Sequence, residues 1–341
     1  MSDDPLRAGV IGTGSMGQNH VRVYRELSDV ELVGIHDVDE ERAREVARER
    51  ETAALSKAEL LEAADVVSIA VPTQFHYETA RECLEAGVHV LVEKPFVEDP
   101  EQGQKLIDLA RLKGVQIQVG HVERYNPAVQ TVAEFVDDLD VIAIEAERLG
   151  PPPGRHIDDS AVMDLMIHDL DVVSGLIDSH VTELQGTATD DGCYANATLR
   201  FDDGTVGRLT ASRVTQRKVR TLSINARECR VEIDYIDQSV EVHRHSMPEF
   251  IEENGNVRYR HENLVERLTV QNSEPLREEI ADFVEAIRED RPPRVTGEDG
   301  LRALRLAQAI EVTMTGDSAT PAEESLEAEP LEADVVGGID H

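Results

Sequence analysis

One lysine and one histidine-bearing segment carry the side chains best suited to acid–base chemistry in this chain of 341 residues. Lys94 follows an apolar run that ends at Val92, and Asp164, His168 and Asp171 are spaced i, i+4 and i+7. On a helix that spacing places the three polar residues in one narrow stripe. A carboxylate beside an imidazole can fix the tautomer of the ring and raise its basicity. The pattern therefore predicts a proton-transfer site that contains Lys94, Asp164 and His168.

These three side chains have the properties that metal-free oxidation of an alcohol requires. Hydride leaves the carbinol carbon for a nicotinamide while a base removes the hydroxyl proton. Neutral His168 would take the proton, Asp164 would orient the ring, and Lys94 would stabilise the developing alkoxide. Two alternatives stay open: Lys94 as a surface lysine, and His168 as a core histidine with two acidic neighbours. We expect no metal, because the sequence has no H-x-x-x-H pattern and no evident third zinc ligand.

A glycine-rich turn near the N-terminus predicts a dinucleotide site. Gly12, Gly14 and Gly17 form a G-x-G-x-x-G motif that starts where an apolar strand ends and leads into a helix. Gly12 permits the tight turn, Gly14 lets a pyrophosphate approach the backbone, and Gly17 lets the helix pack on the strand. The helix N-terminus, with Ser15 and Met16, would supply amide donors and a positive dipole to the phosphates.

The choice between NAD and NADP depends on Asp37, which lies 20 residues after Gly17 at the end of the second predicted strand. A carboxylate there accepts hydrogen bonds from a ribose 2′-OH and repels a 2′-phosphate, so the motif predicts NAD. Arg42 and Arg44 lie nearby and leave NADP open. The remaining alternative is a glycine-rich turn that binds FAD or nothing, with Asp37 an ordinary surface acid.

The elements that would position these residues divide the chain into two domains and a tail. Over residues 1–120, apolar strands alternate with helices, which indicates a doubly wound parallel sheet. Over residues 121–315, a long helix at 160–177 precedes a run of strands between 181 and 244, which indicates an α+β domain on a largely antiparallel sheet. Helices at 274–290 and 300–314 would close this domain. Residues 316–341 contain eight acids and no Lys or Arg, which predicts a disordered tail.

Composition restricts the partners and the compartment. Asp and Glu number 69 against 34 Lys and Arg, a formal net charge of −35, which argues against nucleic acid and against an anionic membrane surface. Cys83, Cys193 and Cys229 form no CxxC pair, and no apolar stretch approaches the roughly 18 residues of a membrane span. With no signal peptide evident, we expect a cytoplasmic protein.

The acid excess comes with only five lysines, one of them Lys94. This bias is typical of extreme halophiles, whose molar salt screens charges within about 3 Å. An ordinary acidic cytosolic protein is the alternative. Because arginine serves elsewhere as the general cation, a lysine at position 94 suggests that a compact, titratable ammonium is needed there.

Three separated segments resemble the Gfo/Idh/MocA oxidoreductase family: GVIGTGSMGQNH (9–20), VSIAVPTQFHYETARECLEAGVHVLVEKP (67–95) and MDLMIHDLD (163–171). The resemblance covers about residues 5–315. It implies an N-terminal Rossmann domain and a C-terminal α+β domain whose open-faced sheet often mediates oligomers, so a homodimer or homotetramer is expected. It implies the same roles for Lys94, Asp164 and His168. The resemblance also implies that cofactor and substrate lie beside Pro72, Thr73, His76, Glu93 and Lys94.

Within that family, four segments most resemble the UDP-N-acetylglucosamine 3-dehydrogenase group: VGHVERYNPAV (119–129), RLGPPP (148–153), EIDYIDQSVEV (232–242) and TGEDGLRAL (296–304). This implies NAD-dependent oxidation of the sugar C3 hydroxyl to a 3-keto sugar. Arginines around the proline turn could hold a diphosphate, although surface charge is the plainer interpretation. An inositol or free-sugar dehydrogenase, or a non-catalytic NAD-binding regulator, stays possible. The implied substrate contacts, besides the three catalytic candidates, are Arg124, Tyr125, Asn126, Arg148 and Arg155.

Overall fold

The structure is a computed structural model that describes residues 4–314, except 153, 155, 156, 158, 246–248, 254, 255, 261 and 262. For residues 245, 249–253 and 256–260 only the backbone is described. Arg155 and the tail predicted for residues 316–341 therefore lie outside the described residues.

The first part of the chain forms a parallel sheet with helices on both faces. Its strands are β1 (Leu6–Ile11), β2 (Val30–His36), β3 (Val66–Ile69), β4 (His89–Glu93) and β5 (Ile117–Gly120). Their order is β2–β1–β3–β4–β5, so the direction of winding reverses between β1 and β3. The connecting helices are α1 (Ser15–Glu26), α2 (Glu40–Glu49), α3 (Lys57–Ala63), α4 (His76–Glu85) and α5 (Pro100–Lys113). The predicted doubly wound Rossmann sheet is confirmed.

The second part begins with α6 (Pro127–Ala133) and contains a larger, mixed sheet. Its elements are β6 (Val141–Leu149), α7 (Ile167–Leu176), β7 (Val181–Ala188), β8 (Tyr194–Phe201), β9 (Val206–Ser212), β10 (Val219–Ala226), β11 (Arg230–Asp234), β12 (Ser239–His245), β13 (Glu249–Glu253), β14 (Asn256–Arg260) and β15 (Asn263–Leu268). Eight strands pair in the order β15–β12–β11–β10–β6–β9–β8–β7, while β13 and β14 form a separate hairpin. Only the β6–β9 pair of the large sheet is parallel, so the predicted largely antiparallel sheet is confirmed.

The long helix predicted for residues 160–177 is not regular. Val162–Met166 forms a π-helical segment, and the α-helical hydrogen-bond pattern of α7 starts only at Ile167. Asp164 lies inside the π-helical segment, whereas His168 lies in the first turn of α7. The predicted stripe of polar residues therefore begins in a π-turn rather than on a regular α-helix.

Two C-terminal helices return to the first sheet. In α8 (Pro275–Glu289), Ile280 and Phe283 pack in one buried cluster with Val10 and Val21 of the first part. The last helix, α9 (Gly297–Met314), contributes residues to the cores of both sheets. The closing helices predicted as part of the second domain are thus shared with the first sheet. Among the described residues, no helix has both the length and the apolar character needed to cross a bilayer.

Candidate active site

The glycine-rich loop connects β1 to α1 and has the geometry of a phosphate cradle. Gly12 has a φ of +93°, and a Cβ there would lie 2.5 Å from the carbonyl oxygen of Ala70. A Cβ at Gly17 would lie 1.8 Å from the carbonyl oxygen of Gly12, so close packing requires glycine at both positions. A Cβ at Gly14, in contrast, would meet no atom within 4 Å. The absence of a side chain at Gly14 therefore leaves room for a ligand rather than for another part of the protein.

The N-terminus of α1 is suited to an anion. Gly14 is its N-cap residue and has no side chain that could accept a hydrogen bond from the first turn, which also contains no acid. Helices α2, α3 and α5 each begin at a side chain that caps the first turn. An uncapped helix N-terminus offers free amides and a positive dipole to phosphate. The loop and the amides of Ser15 and Met16 fit the pyrophosphate of a dinucleotide.

Asp37 follows β2 and its carboxylate holds the glycine-rich loop. One oxygen accepts hydrogen bonds from the amide (2.7 Å) and hydroxyl (2.8 Å) of Thr13, and the other from the Asp39 amide (2.9 Å) and the Arg42 guanidinium (2.7 Å). Burial opposes ionisation, but Arg42 and the amides outweigh it and lower the pKa of Asp37 to about 2. Arg44 pairs with Glu40 instead. Asp37 is therefore an anion at neutral pH, and Arg42 is its partner.

A buried histidine connects the loops that follow β3 and β4. The two ring nitrogens of His76 lie 2.9 Å from the carbonyl oxygens of Val71 and Pro95. Burial lowers the pKa of this ring, while the backbone carbonyl contacts act in the opposite direction. Pro72 and Thr73 lie at the start of the short 3₁₀ turn that precedes α4. His76 thus ties this turn to the segment that carries the cis Lys94–Pro95 peptide.

Glu93, which was also predicted near the cofactor, forms a hydrogen bond with a buried histidine. Its Oε1 lies 2.9 Å from Nε2 of His20, and Nδ1 of His20 lies 2.9 Å from the hydroxyl of Ser68. The Tyr24 hydroxyl lies 2.9 Å from the same Ser68 oxygen. The four side chains are buried. They connect α1, β3 and β4, and so fix the end of the strand from which Lys94 projects.

Lys94 meets Asp164 between the two parts of the chain. The Lys94 Nζ donates to the backbone carbonyl of Asp164 at 2.7 Å and lies 3.4 Å from its Oδ1. The other carboxylate oxygen lies 3.4 Å from Nη1 of Arg213, which follows β9 and was not predicted as a site residue. In the described part of the chain, no hydrogen bond joins Asp164 to His168. The contacts of Asp164 therefore orient Lys94, whereas the sequence spacing predicted that Asp164 orients the imidazole.

The His168 ring is buried at one edge and accessible at the other. Its Nδ1 is buried and has no hydrogen-bond partner among the described residues. The residue is nevertheless partly exposed, so the accessible edge is the one that carries Nε2. Burial, together with the positive charges of Lys94 and Arg148, holds the pKa of His168 well below its usual range. The ring is therefore neutral at physiological pH and able to accept a proton.

A second histidine, His121, lies beside His168 and was missed at the level of the sequence. It follows β5 and is fully buried, with its ring centroid 6.2 Å from that of His168 and the two planes nearly perpendicular, at 87°. Neither ring nitrogen has a hydrogen-bond partner in the described part of the chain. Burial and then the charge of Lys94 lower its pKa to about 3. Its position in the sequence could have identified it, because His121 follows β5, which ends at the same sheet edge as the strand before Lys94.

Two of the arginines predicted as substrate contacts, Arg124 and Arg148, lie in the described part of the chain and are paired with protein carboxylates. Arg148 is only 1% exposed and donates to Asp169 through Nε (2.9 Å) and Nη2 (2.8 Å). Its Nη1 donates to Glu123 at 2.6 Å. Arg124 donates to the carbonyl oxygen of Asp171 at 3.3 Å and lies 3.5 Å from its Oδ1. Neither guanidinium is free to meet a diphosphate without breaking these pairs.

Tyr125 and Asn126 are similarly engaged. The buried Tyr125 hydroxyl lies 3.1 Å from Oε1 of Gln118 and 3.0 Å from a carboxylate oxygen of Asp282 of α8, and it donates its one hydrogen to one of these oxygens. Asn126 caps α6 and donates to the carbonyl oxygen of Tyr235 at 3.0 Å. Of the residues predicted to meet the substrate, Lys94 thus contacts Asp164, and the partly exposed His168 lies within range of the Lys94 charge. The other described ones are bound within the protein.

Comparison with known proteins supports the division of the chain into two parts. Residues 6–121 match the Gfo/Idh/MocA sequence model described as the oxidoreductase family, NAD-binding Rossmann fold, and residues 154–316 match that of its C-terminal alpha/beta domain. The chain belongs to the Gfo/Idh/MocA oxidoreductase family. Its nicotinamide cofactor and its two-part architecture follow from that membership.

Several dehydrogenases are similar in sequence to this chain over most or part of its length. UDP-N-acetylglucosamine 3-dehydrogenase of Acidithiobacillus ferrooxidans is 33% identical over 91% of this chain and 97% of its own length. A solved structure of that enzyme superposes with a TM-score of 0.83 at 32% identity, covering 91% of this chain and 98% of the other. Inositol 2-dehydrogenase of Corynebacterium glutamicum is 30% identical over 53% of this chain and 56% of its own. Dehydrogenases of alcohol groups are thus prominent among the relatives.

Proposed function

We propose that this protein oxidises a secondary alcohol of a sugar to a ketone, with NAD as the hydride acceptor and the C3 hydroxyl of UDP-N-acetylglucosamine as the reacting group. The observation that carries the reaction type is the contact of Lys94 with Asp164, together with the neutral, partly exposed imidazole of His168. Lys94 follows β4 at the carboxyl edge of the parallel strands, where ligands bind in doubly wound folds.

The protein's own groups manage the proton in this reaction. Bound nicotinamide supplies the hydride acceptor. His168, neutral at physiological pH, accepts the hydroxyl proton at Nε2, its accessible ring nitrogen. Lys94, held by Asp164, donates to the substrate oxygen and stabilises its negative charge as the proton leaves. A positioned acid–base group of this kind contributes about 10²–10⁴ to the rate.

The surroundings of Asp37 support NAD rather than NADP as the cofactor. The carboxylate is anionic and lies next to the glycine-rich loop, where it favours a ribose hydroxyl over a phosphate. Arg42, which could otherwise bind a 2′-phosphate, is paired with Asp37 at 2.7 Å. Steady-state kinetics with each cofactor tests this choice, and a higher kcat/KM with NADP would contradict it.

The similarity to UDP-N-acetylglucosamine 3-dehydrogenase along nearly the whole chain supports a nucleotide-sugar substrate. One observation favours a second candidate, an inositol or free-sugar dehydrogenase. Arg124 and Arg148, which a diphosphate would need, are bound to Asp171, Asp169 and Glu123. Inositol dehydrogenases are also among the relatives.

A substrate panel in molar KCl tests the proposal. The purified protein should reduce NAD with UDP-N-acetylglucosamine at a higher kcat/KM than with N-acetylglucosamine, glucose or inositol. Turnover confined to inositol or free sugars would support the second candidate instead. Replacing His168→Asn or Lys94→Met should abolish turnover and leave NAD affinity, measured by calorimetry, within about threefold of the original protein. Unchanged turnover in either variant would contradict the proposed roles.

A further inference from the structure

We propose that Arg220 of β10 binds a phosphate group of the substrate and so makes the site specific for a phosphorylated sugar, such as a nucleotide sugar. Arg220 was not among the arginines that the sequence indicated as substrate contacts. The inference rests on the proposed function, because it concerns a sugar that reacts beside Lys94 and His168. It adds the chemical class of that sugar and the side chain that recognises it.

Arg220 lies at the end of the large sheet that meets Lys94. At this end, Arg213 follows β9; one carboxylate oxygen of Asp164 lies 3.4 Å from its Nη1, and the other lies 3.4 Å from Nζ of Lys94. Strand β6 lies between β9, to which it is parallel, and β10, to which it is antiparallel. Arg148, near the end of β6, is the direct register partner of Arg220. The three arginines therefore share one end of the sheet.

The side chain of Arg220 is on the inner face of this sheet and is partly accessible. Leu222 and Ile224 follow it at alternate positions of β10, and both are fully buried in a cluster that includes residues of α7. Because alternate residues of a strand share a face, Arg220 lies on the same side. Its side chain is 31% exposed, against 1% for Arg148 and 8% for Arg213. Of these three arginines, Arg220 is the one that a ligand can best reach.

The guanidinium of Arg220 has hydrogen-bond donors to spare. Its Nη1 lies 3.3 Å from Oε1 of Glu123, an oxygen that already accepts from Arg148 at 2.6 Å. In the described part of the chain, Nε and Nη2 of Arg220 have no hydrogen-bond partner. Burial and the charge of Arg148 lower the pKa of Arg220. The Nε–Nη2 edge of an arginine is the fork that binds two oxygens of one phosphate, and here it is free of protein carboxylates.

The charges at this end of the sheet leave an excess of positive charge among the described residues. Ion pairs there connect four cations to three carboxylates: Lys94, Arg148, Arg213 and Arg220 to Glu123, Asp164 and Asp169. The excess reaches the proposed base, since burial and then Lys94, Arg148 and Arg220 lower the pKa of His168. In a chain with a net charge of −35, a local positive field beside the base favours an anionic substrate.

Kinetics of Arg220→Met with charged and neutral sugars tests the inference. We expect KM for UDP-N-acetylglucosamine to rise about 10–100-fold, the usual effect of removing a charge-assisted hydrogen bond, and kcat/KM for N-acetylglucosamine to change by less than about threefold. Arg220→Lys, which keeps the charge without the fork, should recover part of the loss. The matched control is Arg208→Met, which removes an exposed arginine from β9 and should leave both constants unchanged.

N-acetylglucosamine 1-phosphate distinguishes the two phosphates of a nucleotide sugar. A rise in KM that this sugar phosphate shares would place Arg220 at the phosphate next to the sugar, and a rise confined to UDP-N-acetylglucosamine would place it at the other one. Equal losses with the charged and the neutral sugars would mean that Arg220 has only a structural role, and the inference would be wrong.

A binding measurement separates this inference from the proposed function. UDP is titrated by calorimetry into protein saturated with NADH, so that the glycine-rich loop is already occupied. We expect UDP to bind, and to bind at least about tenfold more weakly to Arg220→Met, or to Arg220→Gln if the methionine variant does not fold. Absent UDP binding, or equal affinity in the folded variant, would overturn the inference. If UDP binding depends on Arg220 but no sugar reduces NAD, the phosphate site stands and the proposed function fails.

Discussion

Replacing Arg148 with methionine should lower the free energy of unfolding by about 3–5 kcal/mol, because it leaves the buried carboxylate of Asp169 without its cation. The guanidinium is 1% exposed and makes three charge-assisted hydrogen bonds of 2.6–2.9 Å to Asp169 and Glu123. Asp169 is itself only 2% exposed, so water cannot take over the role of the arginine. Methionine keeps most of the apolar volume of the side chain. The decrease in the free energy of unfolding therefore comes from the lost charge and not from a cavity.

The loss in Arg148→Met should also depend on pH. Burial already raises the pKa of Asp169, and Arg148 opposes that rise. Without the arginine, the folded protein binds a proton on Asp169 at pH values where the unfolded chain, with a pKa of about 3.9, has lost it. Stability of the variant should therefore fall relative to the original protein as the pH rises from about 4 towards neutrality. If the difference in stability between the variant and the original protein becomes smaller over this pH range, the prediction is wrong.

Urea denaturation in molar KCl, at one protein concentration, measures this effect. The matched control is Arg208→Met: Arg208 lies on β9 beside β6 and pairs with Glu145 at 3.2 Å, but 62% of its side chain is exposed. Arg208→Met should lower the free energy of unfolding by less than about 1 kcal/mol, because ion pairs at the surface contribute little. If the two variants are destabilised equally, the buried pair does not hold this region. If Arg148→Met instead keeps its stability and raises KM for a nucleotide sugar, Arg148 contacts the substrate as the sequence suggested.

Three further predictions concern the cofactor loop, the base and the solvent. Gly14→Ala should keep the melting temperature but weaken NAD binding about tenfold or more in calorimetry, because the space beside Gly14 is left for the pyrophosphate. Since the pKa of His168 is depressed and the base must be deprotonated, the acid limb of kcat/KM should lie below the usual imidazole value of about 6.5. With a net charge of −35, the protein should lose stability through self-repulsion as KCl is removed, which thermal melts at different KCl concentrations measure.

Each of these has a result that would contradict it. Normal NAD affinity in Gly14→Ala would mean that the pyrophosphate does not approach this loop; Gly17→Ala, in which the added Cβ meets the Gly12 carbonyl at 1.8 Å, is the control expected to unfold instead. An acid limb of kcat/KM centred at or above about pH 6.5 would mean that the pKa of His168 is not lowered. A melting temperature independent of KCl would remove the expectation of adaptation to high salt.

The sequence predicts the first sheet well because its signals are local. A mostly apolar run predicts a strand at Leu6–Ile11, and a segment that starts with proline predicts a helix at Pro100–Lys113. The strand β1 and the helix α5 have these bounds. Short α3 escaped prediction because seven residues show too little of a helical period. The last strand, β15, escaped because its residues are almost all exposed, so no alternation of apolar and polar residues was required.

The candidate site is less predictable because tertiary contacts decide it. The spacing of Asp164 and His168 predicted that the carboxylate orients the imidazole, but Asp164 contacts Lys94 and Arg213, which lie far from it in the sequence. Arg213 and His121 reach the site from a strand end of each sheet, and only the packing of the two parts brings them together. Arg148 looked like a phosphate ligand because its buried partners, 21 and 25 residues away, are not evident from sequence spacing.

The late return of α8 to the first sheet has a consequence for how the chain folds during synthesis. Phe283 and Ile280 complete a cluster whose other members, such as Val10 and Val21, leave the ribosome more than 250 residues earlier. Domains generally fold as units as the chain emerges, N-terminal part first. Here the dinucleotide-binding sheet keeps an uncovered apolar face until most of the protein has been made. Chaperone binding to the nascent chain should therefore persist until residues 275–289 emerge, and end with the docking of this one helix.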